Sequence, residues 1–465
     1  MSLCAVTLLD DHAAQLRQLV LPKHGREGAA YVLFRRVRAT DAWESVPLIR
    51  YLSREVVPLD SQGILSSSRN HVTTDNDGYV RLLQRAAQTD CAPGFVHGHP
   101  SGFDRFSQRD DANEAALTQL AQNRNGEDVH LVSLVFAGDT VPFGRVWTTP
   151  DSNTTFDAIS TVGQQIRLHA RCPDISRAAF HRQELAFGPA LTRTLASLRV
   201  GVVGCGATGT ATVMLLARLG VRRLLLIDND TVETTNLNRL LAASASDVGE
   251  PKIDVTRAMV ERMDLGVAVQ TYKGWVGDAA VRDRLKSCDV LFGCTDDHDG
   301  RALLNRFAYF YLVPVFDMGI RINVAPDRAA VTHADARVTV LIPGARCLLC
   351  HGVVNPVQAR EDDLLRRDPE EYARRRAEGE AYIRGGGVPN PAVVTFTTGV
   401  ACMAVDEFVH RLTNYRHSGP IDHRVSKYHL SDERRPGADS GPCPICLDSE
   451  YWGLGDTEPF LDRVG

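Results

Sequence analysis

The stretch from Arg199 to Arg239, RVGVVGCGATGTATVMLLARLGVRRLLLIDNDTVETTNLNR, constrains this chain more than any other part of it. Val200 to Val203 is a short apolar run that ends in Gly204, Gly206 and Gly209, and Thr210 to Leu219 continues with helical spacing. The pattern predicts a strand, a tight turn and a helix. Glycines at such a turn let backbone N–H groups approach a phosphate, and the helix N-terminus adds partial positive charge. A second apolar strand, Leu224 to Ile227, ends in Asp228, where a carboxylate can accept hydrogen bonds from a ribose hydroxyl. A bound nucleotide is expected.

The glycine pattern alone fits a nicotinamide or flavin site equally well. Its surroundings narrow the choice. Asn236 and Arg239 come just after the second strand, Lys252 follows in GEPK, and Asp296 closes the apolar run DVLFGCTD. Two cations and a carboxylate near a phosphate loop suit a triphosphate with a divalent metal better than a dinucleotide, which favours ATP and Mg2+.

This constellation resembles the ubiquitin-activating and molybdopterin- or thiamine-synthesis adenylyltransferases. The resemblance implies that Gly204, Gly206, Gly209, Asp228, Asn236, Arg239, Lys252 and Asp296 bind ATP and magnesium. It also matches Arg182, in FHRQ, to an arginine that reaches the ATP site of a partner subunit, and so implies a homodimer.

A second constellation lies in HGHPSGFDRFSQRD, residues 97 to 110. Gly94 to Val96 reads as a strand running into it, and on a strand residues i and i+2 share a face, so His97 and His99 can bind one zinc. Asp110 can close the set from the start of a helix over Ala112 to Leu120. Three protein ligands leave the fourth position open, the mark of a catalytic site. The spacing resembles the JAMM metallopeptidase motif, HxH, seven residues, then SxxD. That resemblance implies that Ser107 stabilises the oxyanion and that an upstream glutamate is the general base. Glu27, before a strand over Ala29 to Val37, is the candidate; Glu44 and Glu55 compete with it.

Two CxxC pairs, Cys347 with Cys350 and Cys443 with Cys446, can hold a second zinc through four thiolates, a closed and structural site. A redox pair is the competing reading. Among the eleven cysteines none falls between Cys350 and Cys402, whereas thioester-forming members of the resembled family keep a nucleophilic cysteine in that crossover. Cys402 and Cys294 read as core residues. The run from 359 to 384, dense in both charges, reads as a solvated helix pair. The resemblance makes it a crossover near the bound carrier protein, with GGG at 385 to 387 leading back to a helix over Val393 to Leu412.

A length of 465 residues suggests two or three domains, of which we take two. We expect a JAMM-type α/β metallopeptidase domain at 1–148, with helices over Leu8 to Leu21 and Tyr79 to Ala87. A linker at 149–176 follows, with a helical lead-in across Ile159 to Leu198. A Rossmann-like doubly wound α/β adenylyltransferase domain at 177–465 completes the chain, adding strands at Val267 to Tyr272, Val290 to Phe292, Val313 to Phe316 and Val338 to Ile342. The net charge of −5 makes no case for nucleic acid, no apolar run is long enough for a bilayer, and the N-terminus lacks a signal-peptide pattern, so a cytoplasmic protein is expected.

Together the resemblances imply an enzyme that adenylates the C-terminal glycine of a ubiquitin-like protein and cuts peptide or isopeptide bonds after that glycine. Its setting would be a bacterial ubiquitin-like conjugation pathway, with antiphage defence as one context and a conjugating enzyme or other thiol as acceptor. The alternatives are sulfur-carrier adenylation for cofactor synthesis with a carrier-trimming peptidase, and a non-catalytic nucleotide-binding scaffold.

Overall fold

The computed structural model describes residues 2–21, 25–59, 64–67, 72–138, 142–170, 178–325, 331–377, 391–416, 418–427, 433–434, 443 and 445–457. The chain divides into two compact units. Met1–Asp41, Ser45–Arg171 and Trp452–Thr457 form the first; Ala42–Glu44, Cys172–Tyr451 and Glu458–Gly465 form the second.

The first unit is built on a mixed sheet of nine strands. Its order is Ile166–Ala170, Ala158–Val162, Leu3–Leu9, Pro47–Pro58, Ala29–Thr40, Ala92–His99, Leu131–Ala137, Phe143–Thr149 and Ser152–Thr155. Both faces are covered, and strand alternation decides which residue serves which face. Along Ala29–Thr40, the side chains of Ala30, Val32 and Phe34 join Leu16 and Val20 of helix Asp10–Val20 in one core. Tyr31 and Leu33 instead join Tyr79 and Leu83 of helix Asn76–Gln88 and Leu117 of helix Gln108–Asn125 in the other.

Three expectations are corrected here. Residues 149–170 are not a linker but carry three strands of this sheet, and Ala158–Val162 pairs in parallel with Leu3–Leu9 near its edge. Asp157 locks the connection by accepting the Cys4 N–H at 2.8 Å. The first of these strands, Ser152–Thr155, is itself polar and exposed along its whole length, and that polarity mimics a domain boundary. The helical lead-in accordingly shortens to His181–Ser197; separately, the expected first helix begins only at Asp10, after the buried apolar strand Leu3–Leu9. The remaining linker residues, 171–176, lie outside the described residues.

The second unit has a sheet of eight strands. Ala268–Lys273, Arg223–Asp228, Arg199–Val203, Val290–Gly293 and Val315–Val324 run parallel, as the alternating strand and helix pattern requires. Val331–Leu341, His423–Lys427 and Glu433–Arg434 then extend it antiparallel. Phe292 and Phe316 stack at 5.2 Å between ring centres, and Phe408 of helix Val394–Thr413 meets both edge-on. Among the described residues no helix is long and apolar enough to cross a membrane.

Candidate functional site

In the second unit a cavity of about 700 Å³ opens at the carboxyl ends of the parallel strands, where open α/β sheets bind ligands. Gly204, Gly206, Asp228, Arg239, Lys252 and Asp296 all line it. Gly204 turns with φ +92°, and a Cβ there would lie 2.7 Å from the Cys294 carbonyl oxygen. Gly209 does not line the cavity. It lets helix Ala207–Leu219 close on the turn, since a Cβ at this position would lie 1.8 Å from the Gly204 oxygen.

Asp228 does more than face the cavity. Its carboxylate accepts the Cys205 N–H at 2.6 Å and the Asp230 N–H at 2.7 Å, bracing the loop, while burial raises its pKa. Lys252 Nζ sits 2.7 Å from Asp230 Oδ2, and Arg239 donates to the Thr235 carbonyl at 2.5 Å. Asp296 is exposed on the cavity wall.

Besides Gly209, two further expected members stand elsewhere. Asn236 is buried and caps its own turn, accepting the Glu233 N–H at 3.2 Å, so it braces the segment that carries Arg239 instead of lining the cavity. Arg182 is exposed on helix His181–Ser197 and is not a lining residue.

Residues that the motifs did not pick out also line the cavity, among them Trp275, Arg301, Asp362 and Arg366. The Arg366 guanidinium lies 3.5 Å over the Trp275 ring and 2.7 Å from Asp299. Arg301 donates to the Met318 carbonyl at 3.2 Å. The charged run does form helices, Pro356–Arg367 and Pro369–Ala377, but the first is not merely solvated, because Asp362, Leu365 and Arg366 face the cavity. Residues 378–384 and the GGG lie outside the described residues. A signal for Trp275 exists: it follows strand Ala268–Lys273 at the same sheet edge as Asp228 and Asp296.

Cys294 lines the cavity, and burial pushes its thiol up to about 12. It also donates weakly to Thr212 Oγ1 at 3.9 Å. Cys402, expected in the core, is exposed on its helix.

In the first unit His97, His99 and Asp110 converge, with ligand atoms all within 4.8 Å of one another. His97 Nε2 and His99 Nε2 are 3.2 Å apart, and Asp110 oxygens lie 3.2 Å and 3.6 Å from them. A tetrahedral zinc with ligands at about 2.0–2.1 Å needs donor separations of about 3.3 Å, so the set fits that metal. His99 Nδ1 lies 2.8 Å from the Phe103 carbonyl, and with the ring proton on Nδ1 the Nε2 lone pair would be free for a metal.

Ser107 caps helix Gln108–Asn125. Its Oγ accepts the Asp110 N–H at 3.2 Å, and Asp110 Oδ2 accepts the Ser107 N–H at 2.7 Å, so the cap fixes the Asp110 carboxylate. Glu27 is buried, and burial first of all lifts its carboxyl to about 7, against the lowering influence of His97 and His99. Two residues further on, Ala29 is paired with His97 across the sheet.

The four cysteines of the two CxxC pairs also meet. Sγ separations are 3.8 Å for Cys347–Cys350, 3.8 Å for Cys347–Cys443 and 3.6 Å for Cys350–Cys446. Tetrahedral zinc with thiolates at about 2.3 Å needs roughly 3.8 Å, so this group fits a closed zinc site.

The ThiF family profile matches residues 180–440. The SAMP-activating enzyme E1 of Haloferax volcanii is 30% identical over 163 residues, which cover 35% of this chain and 56% of that protein. The molybdopterin-synthase adenylyltransferase of Escherichia coli is 31% identical over 150 residues, 32% of this chain and 58% of its own length. The tRNA threonylcarbamoyladenosine dehydratase of Bacillus subtilis is 46% identical over 81 residues, 17% of this chain and 32% of its own. The chain thus spans less than two thirds of each relative. Among solved structures, E. coli MccB with MccA-N7isoASN aligns at 17% identity over 58% of this chain and 75% of that one, with a TM-score of 0.45.

Proposed function

Because the chain belongs to the ThiF family, we propose that its second unit uses ATP to adenylate the C-terminal glycine of a ubiquitin-like protein. One observation carries the reading: Gly204, Gly206, Asp228, Arg239, Lys252 and Asp296 line one cavity at the carboxyl edge of a parallel sheet. A carboxylate oxygen of the glycine attacks the α-phosphorus, an acyl–phosphate bond forms, and pyrophosphate leaves. Lys252 and Arg239 offset charge on the phosphates, Arg182 acts from the partner of a homodimer, and Asp296 holds Mg2+.

The first unit, on the same proposal, is a JAMM-type zinc peptidase that hydrolyses peptide or isopeptide bonds after that glycine. Zinc on His97, His99 and Asp110 supplies Lewis-acid polarisation when bound. Glu27, with its carboxyl near neutrality, takes a proton from the attacking water and passes it to the leaving amine. The Ser107 hydroxyl uses a lone pair for the Asp110 N–H, which leaves its proton to donate to the carbonyl oxygen as charge builds there. A further, structural zinc would sit on Cys347, Cys350, Cys443 and Cys446.

A second reading, activation of a sulfur-carrier protein, draws support from Cys294. Among the described residues it is the only cysteine on the cavity wall, and its thiol is buried and hard to ionise, so the adenylate passes to an outside nucleophile. Mass spectrometry of a diglycine-ended protein incubated with ATP and this chain separates the readings. An adenylate that transfers to a protein amine or thiol supports conjugation, and a thiocarboxylate in the presence of a sulfur donor supports the carrier reading. An unmodified protein in both cases leaves only the nucleotide-binding scaffold.

A further inference from the structure

Helix Gln108–Asn125 carries Asp110 on its first turn and Glu114 one turn later, on the same face. Glu114 is fully buried. Its Oε1 accepts from Ser133 Oγ at 2.5 Å, and its Oε2 accepts from Arg145 Nε and Trp147 Nε1, both at 2.7 Å. These donors lie on strands Leu131–Ala137 and Phe143–Thr149. The first of these strands pairs in parallel with Ala92–His99, placing Val135 opposite His97 and Ala137 opposite His99.

Arg145 extends the tie toward the site. Its Nη1 lies 2.6 Å from Asp111, next to Asp110, and its guanidinium sits 3.7 Å over the ring of Phe106, next to Ser107. The residues that flank the Ser107–Asp110 cap on either side, Phe106 and Asp111, therefore both touch this arginine.

Packing alone does not require such a cluster. Of the other inward positions of the helix, Leu117 and Ala121 are apolar and Thr118 spends its hydroxyl on the Glu114 carbonyl, so none needs a charged partner, and a buried ion pair contributes little net stability because both charges lose hydration. What three directional donors add is registry: they stop the helix sliding along the sheet, and a ligand set tolerates misplacement of only about 0.5 Å. We propose that Glu114 is a positioning residue for the His97, His99 and Asp110 zinc site, setting where Asp110 meets the two histidines. This rests on the reading that those three residues bind zinc.

The test is a zinc competition titration on the full-length protein with a chromophoric chelator. Wild type should release zinc from two sites, and His97→Ala should lack one of them while keeping the cysteine zinc. Glu114→Gln should bind zinc about 10–100-fold more weakly at the site that His97→Ala removes, with the cysteine zinc unchanged. Trp147→Phe, which deletes one donor and keeps the ion pair, should show a smaller loss at the same site. A purely structural role would lower the melting temperature of either variant without weakening zinc binding by the folded protein. Wild-type affinity in folded Glu114→Gln overturns the proposal. If that variant does not fold, wild-type affinity in Trp147→Phe does so instead. Equal zinc content in wild type and His97→Ala overturns the metal assignment itself, a different result from either of these.

Discussion

Lys252 Nζ lies 2.7 Å from Asp230 Oδ2 on the wall of the cavity in the second unit. The lysine side chain is 13% exposed and the aspartate 58%, so the ion pair is a surface one on the aspartate's side. A phosphate entering beside Lys252 must compete with that carboxylate. Asp230→Asn removes the competitor and should tighten ATP binding about two- to fivefold, the range of an exposed ion pair. Isothermal titration with ATP and magnesium checks this, and weaker binding would place Asp230 among the metal ligands instead.

Gly209 packs against the phosphate turn with no room for a methyl group. Gly209→Ala pushes helix Ala207–Leu219 away from Gly204, at a cost of about 1–3 kcal/mol. Denaturant unfolding should register that loss in the second unit, and the same variant should lose ATP affinity. Unchanged binding would mean that the turn is not a phosphate site.

The four cysteine sulfurs stand at zinc-binding distances, so the site should hold one metal ion. Cys347→Ser should remove one zinc per chain by elemental analysis and lower the melting temperature of the second unit by on the order of 10 °C. A redox pair would instead leave the zinc content unchanged and alter the thiol count under oxidant.

His12 and His130 are both held neutral in the first unit, chiefly by burial, with pKa values lowered to about 4. His130 Nδ1 lies 2.5 Å from the Tyr51 hydroxyl, and His12 Nδ1 lies 2.9 Å from Ser53 Oγ. Below about pH 6.5 the unfolded chain binds protons that the folded unit refuses until about pH 4, so stability present above 6.5 is lost as the pH falls across that window. Melting temperatures from pH 7 to 4 should decline, and His130→Gln should flatten the slope. A slope identical to wild type would contradict the assignment.

Much of this architecture is legible in the chain because its signals are local. Val200 to Val203 followed by Gly204 specifies a strand and turn within a few residues, and HxH on a strand places His97 and His99 on one face without further information. The CxxC pairs are likewise local in each half, although only the fold brings Cys443 to Cys347. The strands at 152–170 were hidden because short polar-flanked strands at a sheet edge share their composition with linkers. Arg301 and Arg366 were hidden for a different reason: each reaches the cavity through tertiary packing, and Arg366 does so from a helix whose charges look solvent-directed. Asn236 shows the converse, since a residue inside a motif can brace its neighbours while the neighbours face the ligand.

The central claim is that the cavity carrying Lys252 and Asp296 forms an acyl adenylate. ATP–pyrophosphate exchange with the full-length protein and a diglycine-ended ubiquitin-like protein measures that step directly. The account predicts exchange that requires the protein substrate's terminal glycine carboxylate and falls at least about 100-fold in Lys252→Ala, the effect of deleting one transition-state charge contact. Exchange that is absent with every glycine-ended partner, or undiminished in Lys252→Ala, would contradict it.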